Sequence, residues 1–378
     1  MKKALIITCN DSYDYETRTK YIELILQENG YQVEHLLSDF DHRNKKRYES
    51  AHKGNIHYVH VPSYQRNLSI RRIWSHICFG NCVRKFVMEN EFDLIYHCAP
   101  PNYTIKILSK CKEKKHFKLI TEIGDMWPES IPIGKGLKKA LYIPFVVWSN
   151  LRDKHLDNSD AVIAECDLFR DIVRNKTGIR HIQTLYFCKE FTGNERKLTY
   201  TQGDQINLCY LGSINNIIDI PMIGKIVNAL SFRTKVKLFI IGDGENRQKL
   251  IDIAKNNGAE VAYYGIVYDE TVKKDVFSKC HYALNIMKPD VFVGMTMKSL
   301  DYFSAGMPII NNIGGDVWKM VGEENVGINV SESDCFEKMN FLIQLNPVAY
   351  MQMTDSVKKA HIKYFSPKCV NKTISKLI

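Results

Sequence analysis

A chain of 378 residues with 45% apolar side chains is long enough for two domains with separate cores, and these values exclude an intrinsically disordered protein. No apolar run reaches the roughly 18 residues of a membrane-spanning helix, and the N-terminus resembles no signal peptide, so a cytoplasmic protein is expected. The net charge of +10 favours an anionic partner, which is a nucleic acid, an acidic membrane surface or a phosphorylated metabolite. Eleven scattered cysteines without zinc-like spacing predict reduced, mostly buried thiols.

The first half of the chain alternates short apolar strands with helical segments. Strands are predicted at residues 4–8, 31–37, 56–60, 93–96, 118–121 and 161–164. A helix is predicted from residue 17 to residue 29, where Gly30 ends it. Alternation of this kind is typical of a parallel sheet that helices cover on both faces.

The same alternation begins again after a polar segment, residues 193–205, that fits a linker. The strands of the second half are predicted at residues 206–211, 236–241, 261–264, 282–286 and 308–311. The sequence therefore predicts an α/β protein with two doubly wound, Rossmann-like domains, residues 1–192 and 206–347, facing each other across a cleft. The helical segment 348–378 would follow and could cross back to the first domain.

Residues 290–312 predict a loop, a helix, a Gly-x-Pro stop and a buried strand. Lys298 and Asp301 lie near the start of this helix, and Gly306 and Pro308 follow its end. The first N–H groups of a helix are unpaired and its dipole is positive there, so a cation at this point suits a bound diphosphate. A solvated surface lysine is the alternative interpretation of Lys298.

Two glycine turns follow predicted strands in the second half, one at Gly212 and one at Gly242 and Gly244. Glycine lets the backbone approach a ligand closely, and the helix that follows offers its free N–H groups. Either turn alone is equally an ordinary connection from a strand to a helix. The second turn does not match a dinucleotide fingerprint, because Arg247 stands where the third glycine belongs.

Taken in order, these motifs resemble the nucleotide-sugar half of GT-B glycosyltransferases, particularly family 4, the retaining enzymes that build bacterial surface polysaccharides. Four segments carry the resemblance: Tyr-Leu-Gly-Ser at 210–213, Ile-Ile-Gly-Asp-Gly-Glu at 240–245, Tyr-Tyr-Gly-Ile-Val at 263–267 and Lys-Ser-Leu-Asp-Tyr-Phe-Ser-Ala-Gly-Met-Pro at 298–308. In the first half, Asp-Met-Trp-Pro-Glu at 125–129 is similar to the Asp-x-Trp-Pro-Glu segment of N-acetylfucosaminyl and related amino-sugar transferases.

The resemblance implies roles for the matching residues of a donor site. Lys298 would stabilise the leaving diphosphate, and Asp301, in place of the usual glutamate of the family, would accept hydrogen bonds from the ribose hydroxyls. The turns and the segment beside the base would be formed by Gly212, Ser213, Gly242, Asp243, Gly244, Ile266 and Val267. Val293 stands where many members have a glutamate that contacts the donor sugar, which leaves the identity of that sugar open.

The first half would bind the acceptor. Asp125 follows a buried strand and is the candidate catalytic residue, which would take a proton from the acceptor hydroxyl or stabilise positive charge at the sugar. Its alternative role is to cap the next helix. Glu129 is interpreted as structural. Arg18 is the candidate contact for an acceptor or a phosphate, with a plain role at a helix start as the alternative.

Two stretches, residues 71–85 and 135–152, combine apolar, aromatic and basic side chains. Helices with this composition can lie at a membrane interface, where anionic lipid attracts the basic residues. Helices that face the core and have a solvated basic rim are the alternative.

The resemblance implies a retaining hexosyl- or N-acetylhexosaminyltransferase that takes its sugar from a UDP-sugar. The acceptor would be lipid-linked or an oligosaccharide of surface-polysaccharide biosynthesis, such as capsule or O-antigen, and the protein would be peripheral on the inner face of the cell membrane. No metal ion is expected, because no Asp-x-Asp follows a suitable strand and Lys298 supplies positive charge. A nucleotide-sugar epimerase of the same architecture is the alternative. Nucleic acid is not expected as a partner, since no aromatic-interleaved basic platform is present.

Overall fold

The computed structural model describes residues 1–11, 18–48, 54–131, 134–193 and 204–378. The chain divides into two compact units. The first contains Met1–Phe187 together with Val370–Ile378, and the second contains Cys188–Cys369. The predicted linker falls mostly on residues 194–203, which lie outside the described residues.

The first unit is built around one parallel sheet with helices between its strands. Its strands are β1 (Lys2–Thr8), β2 (Tyr31–Ser38), β3 (Phe40–Asp41), β4 (Lys46–Arg47), β5 (Ile56–Val59), β6 (Leu94–Ala99), β7 (Lys118–Ile123), β8 (Ala161–Ala164) and β9 (Ile182–Thr184). Its helices are α1 (Arg18–Glu28), α2 (Ile70–Glu89), α3 (Asn102–Lys112), α4 (Lys135–Ala140), α5 (Tyr142–Asp153) and α6 (Asp167–Thr177), with a short 3₁₀ helix at Leu156–Asn158.

The sheet of the first unit has the order β5-β2-β1-β6-β7-β8-β9, and β3 and β4 form a separate antiparallel hairpin. The chain winds outward from β1 in one direction and then, at β6, in the other. Ligands of such sheets bind at the carboxyl ends of the strands beside this reversal. The ends of β1, β6 and β7 are therefore the part of this unit to inspect for function.

The second unit repeats the plan with six parallel strands. These are β10 (Gln205–Leu211), β11 (Lys235–Ile241), β12 (Ala259–Tyr263), β13 (Tyr282–Asn285), β14 (Ile309–Asn311) and β15 (Gly327–Asn329). Its helices are α7 (Ile220–Ser231), α8 (Arg247–Asn256), α9 (Glu270–Ser278), α10 (Met297–Ser304), α11 (Asp316–Glu324), α12 (Cys335–Gln344) and α13 (Pro347–Tyr364). The order β12-β11-β10-β13-β14-β15 is that of a Rossmann sheet and places the reversal between β10 and β13.

The last helix, α14 (Pro367–Ile374), contains the boundary at Val370, after which the chain belongs to the first unit. All predicted strands are present because their apolar runs are buried on both faces of a sheet; β8 and β13, for example, are buried throughout. The predicted first helix corresponds to α1. The short strands β9 and β15 and the β3–β4 hairpin were not predicted.

None of the eleven cysteines, all of which are described, forms a disulfide, and six of them are buried. This agrees with the predicted reduced thiols. Among the helices that the structure describes, none is both long enough and apolar enough to cross a membrane.

Candidate functional site

The glycine turns after β10, β11 and β12 pack against one another. Gly212 and Gly242 both have positive φ, at 122° and 136°, and the Gly242 N–H donates a hydrogen bond of 2.7 Å to the carbonyl of Gly265. A β-carbon on Gly242 would lie 2.0 Å from the Gly212 carbonyl oxygen, so this close approach requires glycine. A β-carbon on Gly212 would meet no described atom within 4 Å, which leaves open space for a ligand beside that turn.

The two residues that follow Gly212 and Gly242 serve their own turns in different ways. The Ser213 carbonyl accepts a 2.9 Å hydrogen bond from the Tyr210 hydroxyl, and the Ser213 side chain is exposed. Asp243 accepts a 2.7 Å hydrogen bond from the Gly244 N–H. It also forms an ion pair with Arg247, with an N–O distance of 3.4 Å. Gly244 packs against the backbone of Ile214. Asp243 and Gly244 therefore close the turn, whereas Ser213 faces outward.

The segment beyond β12 leaves an exposed apolar edge. Ile266 is exposed and Val267 is half-buried, next to the turn at Gly265. Because the Gly265 carbonyl is bonded to Gly242, this edge lies beside the two glycine turns. The structure thus brings together the candidate residues of the first three strand ends.

Lys298 is buried at the start of α10 and has 8% of its surface exposed. Its Nζ lies 5.2 Å from the centre of the Tyr210 ring and has no hydrogen-bond partner among the described residues. Burial lowers the pKa of Lys298 from 10.5 to about 7. The alternative of a solvated surface lysine is therefore wrong, and the ammonium group is placed where an anionic ligand would stabilise it.

Helix α10 is attached to the reversal point of the sheet by one of its own side chains. The Tyr302 hydroxyl accepts a 2.8 Å hydrogen bond from the N–H of Leu211, the last residue of β10. Lys298 in turn lies over Tyr210, whose hydroxyl reaches Ser213. The N-terminus of α10 and the Gly212 turn are thus held side by side at the place where ligands of Rossmann sheets bind.

A row of asparagines supports the N-terminus of α10, and the sequence analysis missed it. Asn285, Asn311 and Asn329 end β13, β14 and β15 in register, and side-chain hydrogen bonds of 2.8 Å join each to the next. The hydroxyl of Thr296 donates to the Asn285 side chain at 3.1 Å and accepts from the Ser299 N–H as the cap of α10. An asparagine at the end of three successive strands was the signal that could have revealed this network.

The Asp301 carboxylate pairs with Lys189, which precedes the second sheet in the chain. Lys189 donates a 2.5 Å hydrogen bond to Asp301 Oδ1 and lies 3.3 Å from Glu270. Burial opposes the charge on Lys189, but the two carboxylates outweigh it and raise its pKa. The candidate ribose-binding carboxylate is therefore already held in place by an ion pair.

In the first unit, Asp125 lies just beyond β7 and is half-buried. It accepts a 2.5 Å hydrogen bond from the Ser130 hydroxyl. Burial raises the pKa of Asp125, and the Ser130 bond and the charge of Arg72 offset part of that rise. The helix that follows, α4, has Gly134 as its N-cap, so Asp125 does not cap it. A carboxylate with a raised pKa is a better proton acceptor near neutral pH.

Glu129 forms a two-pronged ion pair with Arg152, with N–O distances of 2.8 and 3.2 Å. The Arg152 side chain lies in the last turn of α5 and is fully buried, so this ion pair fixes α5 to the segment that contains Glu129. The geometry agrees with the interpretation of Glu129 as structural.

Arg18, the other candidate of the first unit, lies at the start of α1 and is buried. Its guanidinium forms an ion pair of 3.2 Å with Glu122 and lies 4.6 Å from the centre of the Phe187 ring. Glu122 also accepts a 2.6 Å hydrogen bond from the Tyr96 hydroxyl. The structure thus gives Arg18 a buried carboxylate of its own.

Apolar side chains on α5 and at the start of α2 face solvent. Tyr142, Ile143 and Val147 of α5 are all more than half exposed, and so are Ile70 and Trp74 of α2. Only Ser149 and Arg152 are buried on α5. These two helices therefore present apolar surface that the described protein does not cover.

No family model matches the chain, and no curated protein matches it. Solved structures do. Sucrose-phosphate synthase from Thermosynechococcus elongatus is 12% identical with a TM-score of 0.69, covering 100% of this chain and 98% of the other. HepE from Anabaena, in complex with UDP and glucose, is 13% identical with a TM-score of 0.62 and coverages of 100% and 99%. The lipopolysaccharide outer core galactosyltransferase WaaB is 14% identical with a TM-score of 0.65 and covers both chains fully. The likeness confirms the predicted GT-B fold class with two Rossmann-like domains.

Proposed function

We propose that the protein is a glycosyltransferase that transfers a sugar from a UDP-sugar to a hydroxyl group of an acceptor. The observation that carries the proposal is Lys298, a buried ammonium group without a described partner beside an open glycine turn at the reversal point of a Rossmann sheet. Structures of the same fold solved with UDP and with UDP-glucose, both of HepE, support a nucleotide sugar as the ligand. The comparisons do not favour the epimerase.

Lys298 would act on the leaving group. The diphosphate gains negative charge as its bond to the sugar breaks, and a buried ammonium group stabilises that charge more strongly than a solvated one. The open space beside Gly212 lets the phosphates approach the backbone. In this proposal Lys298 supplies the positive charge that a metal ion supplies elsewhere, and the reaction needs no metal.

The nucleoside would lie along the first three strand ends of the second unit. Asp301, oriented by Lys189 through Oδ1, would accept the ribose hydroxyls through its other oxygen. The exposed edge at Ile266 and Val267 would pack against the base. Gly242, Asp243 and Gly244 would shape the turn beneath, since their contacts are with the neighbouring turn and not with solvent-facing groups.

Asp125 would be the catalytic residue of the first unit, acting on the acceptor hydroxyl or on positive charge at the sugar. Its burial and raised pKa support a role in proton transfer. Retention of configuration and membership of family 4 follow from the sequence resemblance and are part of the same proposal.

The acceptor would be lipid-linked or an oligosaccharide, and the protein would bind the inner membrane surface through α5 and the start of α2. Ile143 and Trp74 are exposed there, and basic residues such as Lys139 and Arg71 lie exposed nearby in the chain. Sedimentation with phosphatidylglycerol vesicles tests this association. Ile143→Glu is expected to reduce binding, and equal sedimentation of both proteins would refute it.

A screen of nucleotide sugars tests the transferase proposal. UDP-sugars are expected to raise the melting temperature of the protein more than uridine does, because the diphosphate pairs with Lys298. The best donor is then incubated with a bacterial lipid extract, and transfer of labelled sugar is measured. A protein that neither is stabilised by any nucleotide sugar nor consumes one would exclude this function.

A further inference from the structure

A second buried cation lies at the carboxyl edge of the first sheet. Arg72, in the first turn of α2, is 5% exposed. The centre of its guanidinium lies 4.6 Å from the Trp127 ring and 5.9 Å from the Tyr64 ring. The Ser69 hydroxyl caps the helix by accepting a hydrogen bond from the Arg72 N–H. The side chain is thus enclosed by aromatic rings at a helix N-terminus.

No carboxylate among the described residues forms an ion pair with Arg72, and its side-chain hydrogen-bond partner is the neutral Tyr64. Arg72 Nη1 donates to the Asn67 carbonyl at 3.2 Å, and Arg72 Nε has no hydrogen-bond partner among the described residues. Asp125 acts on Arg72 through its charge, yet the two form no ion pair. Arg18 and Arg152 each hold a carboxylate directly. An enclosed guanidinium without one is costly until a ligand supplies an anion.

A second cation, Lys45, lies beside the Tyr64 ring. Lys45 Nζ lies 4.8 Å from the centre of the Tyr64 ring and donates hydrogen bonds of 2.7 Å to Asn67 Oδ1 and 2.6 Å to the His42 carbonyl. Burial and the neighbouring charge of Arg72 lower the pKa of Lys45. Burial, helped by Arg72 and Lys45, lowers the pKa of His42 to about 3 and keeps that ring neutral. Lys45 and Arg72 therefore both lie beside the Tyr64 ring, and the charge of Asp41 offsets part of the effect on Lys45.

The position of this pair relates it to the acceptor. Arg72 stacks on Trp127, two residues after Asp125, and its charge reaches Asp125. Trp127 also contacts Trp148 of α5 with ring centres 5.6 Å apart. An anion bound at Arg72 would thus lie near the candidate catalytic carboxylate and near the helix whose exposed apolar face is proposed to meet the membrane.

We propose that Arg72 and Lys45 bind a phosphate group of the acceptor, so that the acceptor is a phosphate or diphosphate ester. The guanidinium fork offers donors with the geometry that phosphate oxygens accept, and Lys45 adds a second charge. The ester is either a lipid phosphate or a soluble sugar phosphate. This inference rests on the proposed transferase function, because it assigns the acceptor of that reaction.

Binding of inorganic pyrophosphate to the full chain tests the site. Pyrophosphate would also bind at Lys298, so the titrations use Lys298→Met as the background, and intrinsic tryptophan fluorescence reports on Trp127 beside Arg72. Adding Arg72→Gln to this background is expected to weaken pyrophosphate binding at least about tenfold, the effect of losing a charge-assisted hydrogen bond. Lys45→Gln should weaken it less, and Arg72→Lys should restore part of the loss.

Matched controls separate this result from misfolding and from the donor site. Lys46→Gln removes an exposed charge from the same hairpin and is expected to change nothing. Arg72→Gln with Lys298 intact should still bind UDP with wild-type affinity, which shows that the protein is folded and that the donor proposal stands. Loss of UDP binding in Lys298→Met tests that proposal separately.

Vesicles separate the two sources of phosphate. Greater binding to vesicles with phosphatidic acid than to phosphatidylcholine alone, lost in Arg72→Gln and kept in Lys46→Gln, supports a lipid phosphate. Dependence on Arg72 for pyrophosphate only supports a soluble sugar phosphate. Pyrophosphate and phosphatidic acid binding that is the same with and without Arg72→Gln and Lys45→Gln would overturn the proposal.

Discussion

Two buried cations, Arg18 in the first unit and Lys298 in the second, differ in whether the protein supplies a counter-charge. In the first unit Arg18 is paired with Glu122, and a tyrosine hydroxyl completes the contact. In the second unit Lys298 is also buried, but its ammonium group has no hydrogen-bond partner among the described residues. Burial therefore does not by itself mark a ligand-binding cation. The missing counter-charge does, because a buried unpaired charge is costly in the free protein.

The largest expected effect separates the chemistry of the first unit from the binding of the second. Asp125→Asn should reduce sugar transfer by about 10²- to 10⁴-fold, because the carboxylate can no longer accept or balance a proton. UDP affinity should stay within experimental error, since Asp125 belongs to the other unit. Transfer rate and UDP titration are measured on the same preparation. Parallel loss of both would mean that Asp125 only maintains the fold.

Breaking the paired cation should destabilise the protein. Arg18→Met leaves Glu122 buried without its counter-charge, and loss of one partner of a buried pair costs about 3–5 kcal/mol. Urea unfolding followed by circular dichroism measures the loss, and UDP affinity is expected not to change. If Arg18→Met kept its stability and lost phosphate binding, the contrast between the two cations would be wrong.

Removing the unpaired cation, in contrast, should not destabilise the protein. Lys298→Met is expected to keep or raise the melting temperature, because a buried charge is replaced by an apolar side chain of similar length. UDP affinity should fall about 10- to 100-fold with the loss of the charge-assisted contact. Lys255→Met, an exposed lysine on α8, is the matched control and should alter neither property. A destabilised Lys298→Met with normal UDP affinity would contradict the proposed role.

The same lysine should make UDP binding depend on pH. Its pKa in the free protein is about 7, against 10.5 when solvated. Above pH 7 the Lys298 amine must therefore take up a proton when UDP binds. The affinity for UDP should then fall by up to about tenfold per pH unit. The unfolded chain holds that proton up to about pH 10.5, so the free energy of unfolding should rise with pH between these values. In Lys298→Met, neither the UDP affinity nor the free energy of unfolding should change with pH in this way. If either pH dependence persisted, a titrating group other than Lys298 would cause it.

Sequence patterns predicted the strands because these features are local. Residues 4–8 and their counterparts are short apolar runs typical of buried strands, and Lys298 lies in the first turn of a helix that Gly306 follows. The burial of Lys298 was not predictable in the same way. It depends on Tyr210, far away in the sequence, and on the whole of the second sheet.

Pairing between distant residues accounts for the rest. Glu122 lies in an apolar strand and gave no sign that it would meet Arg18, and Lys189 meets Asp301 across 112 positions. The strands β9 and β15 are three residues long, too short for a periodic pattern. Arg72 was visible only as one basic residue in an aromatic stretch, because its lack of a counter-charge is a property of the folded chain.

A structure of the UDP complex tests the central claim most directly, and the measured quantity is the distance from Lys298 Nζ to the nearest phosphate oxygen. The account predicts about 2.7–2.9 Å, the length of a charge-assisted hydrogen bond, with the diphosphate beside Gly212 and the ribose at Asp301. UDP bound elsewhere, with Lys298 still buried and unpaired, would contradict it.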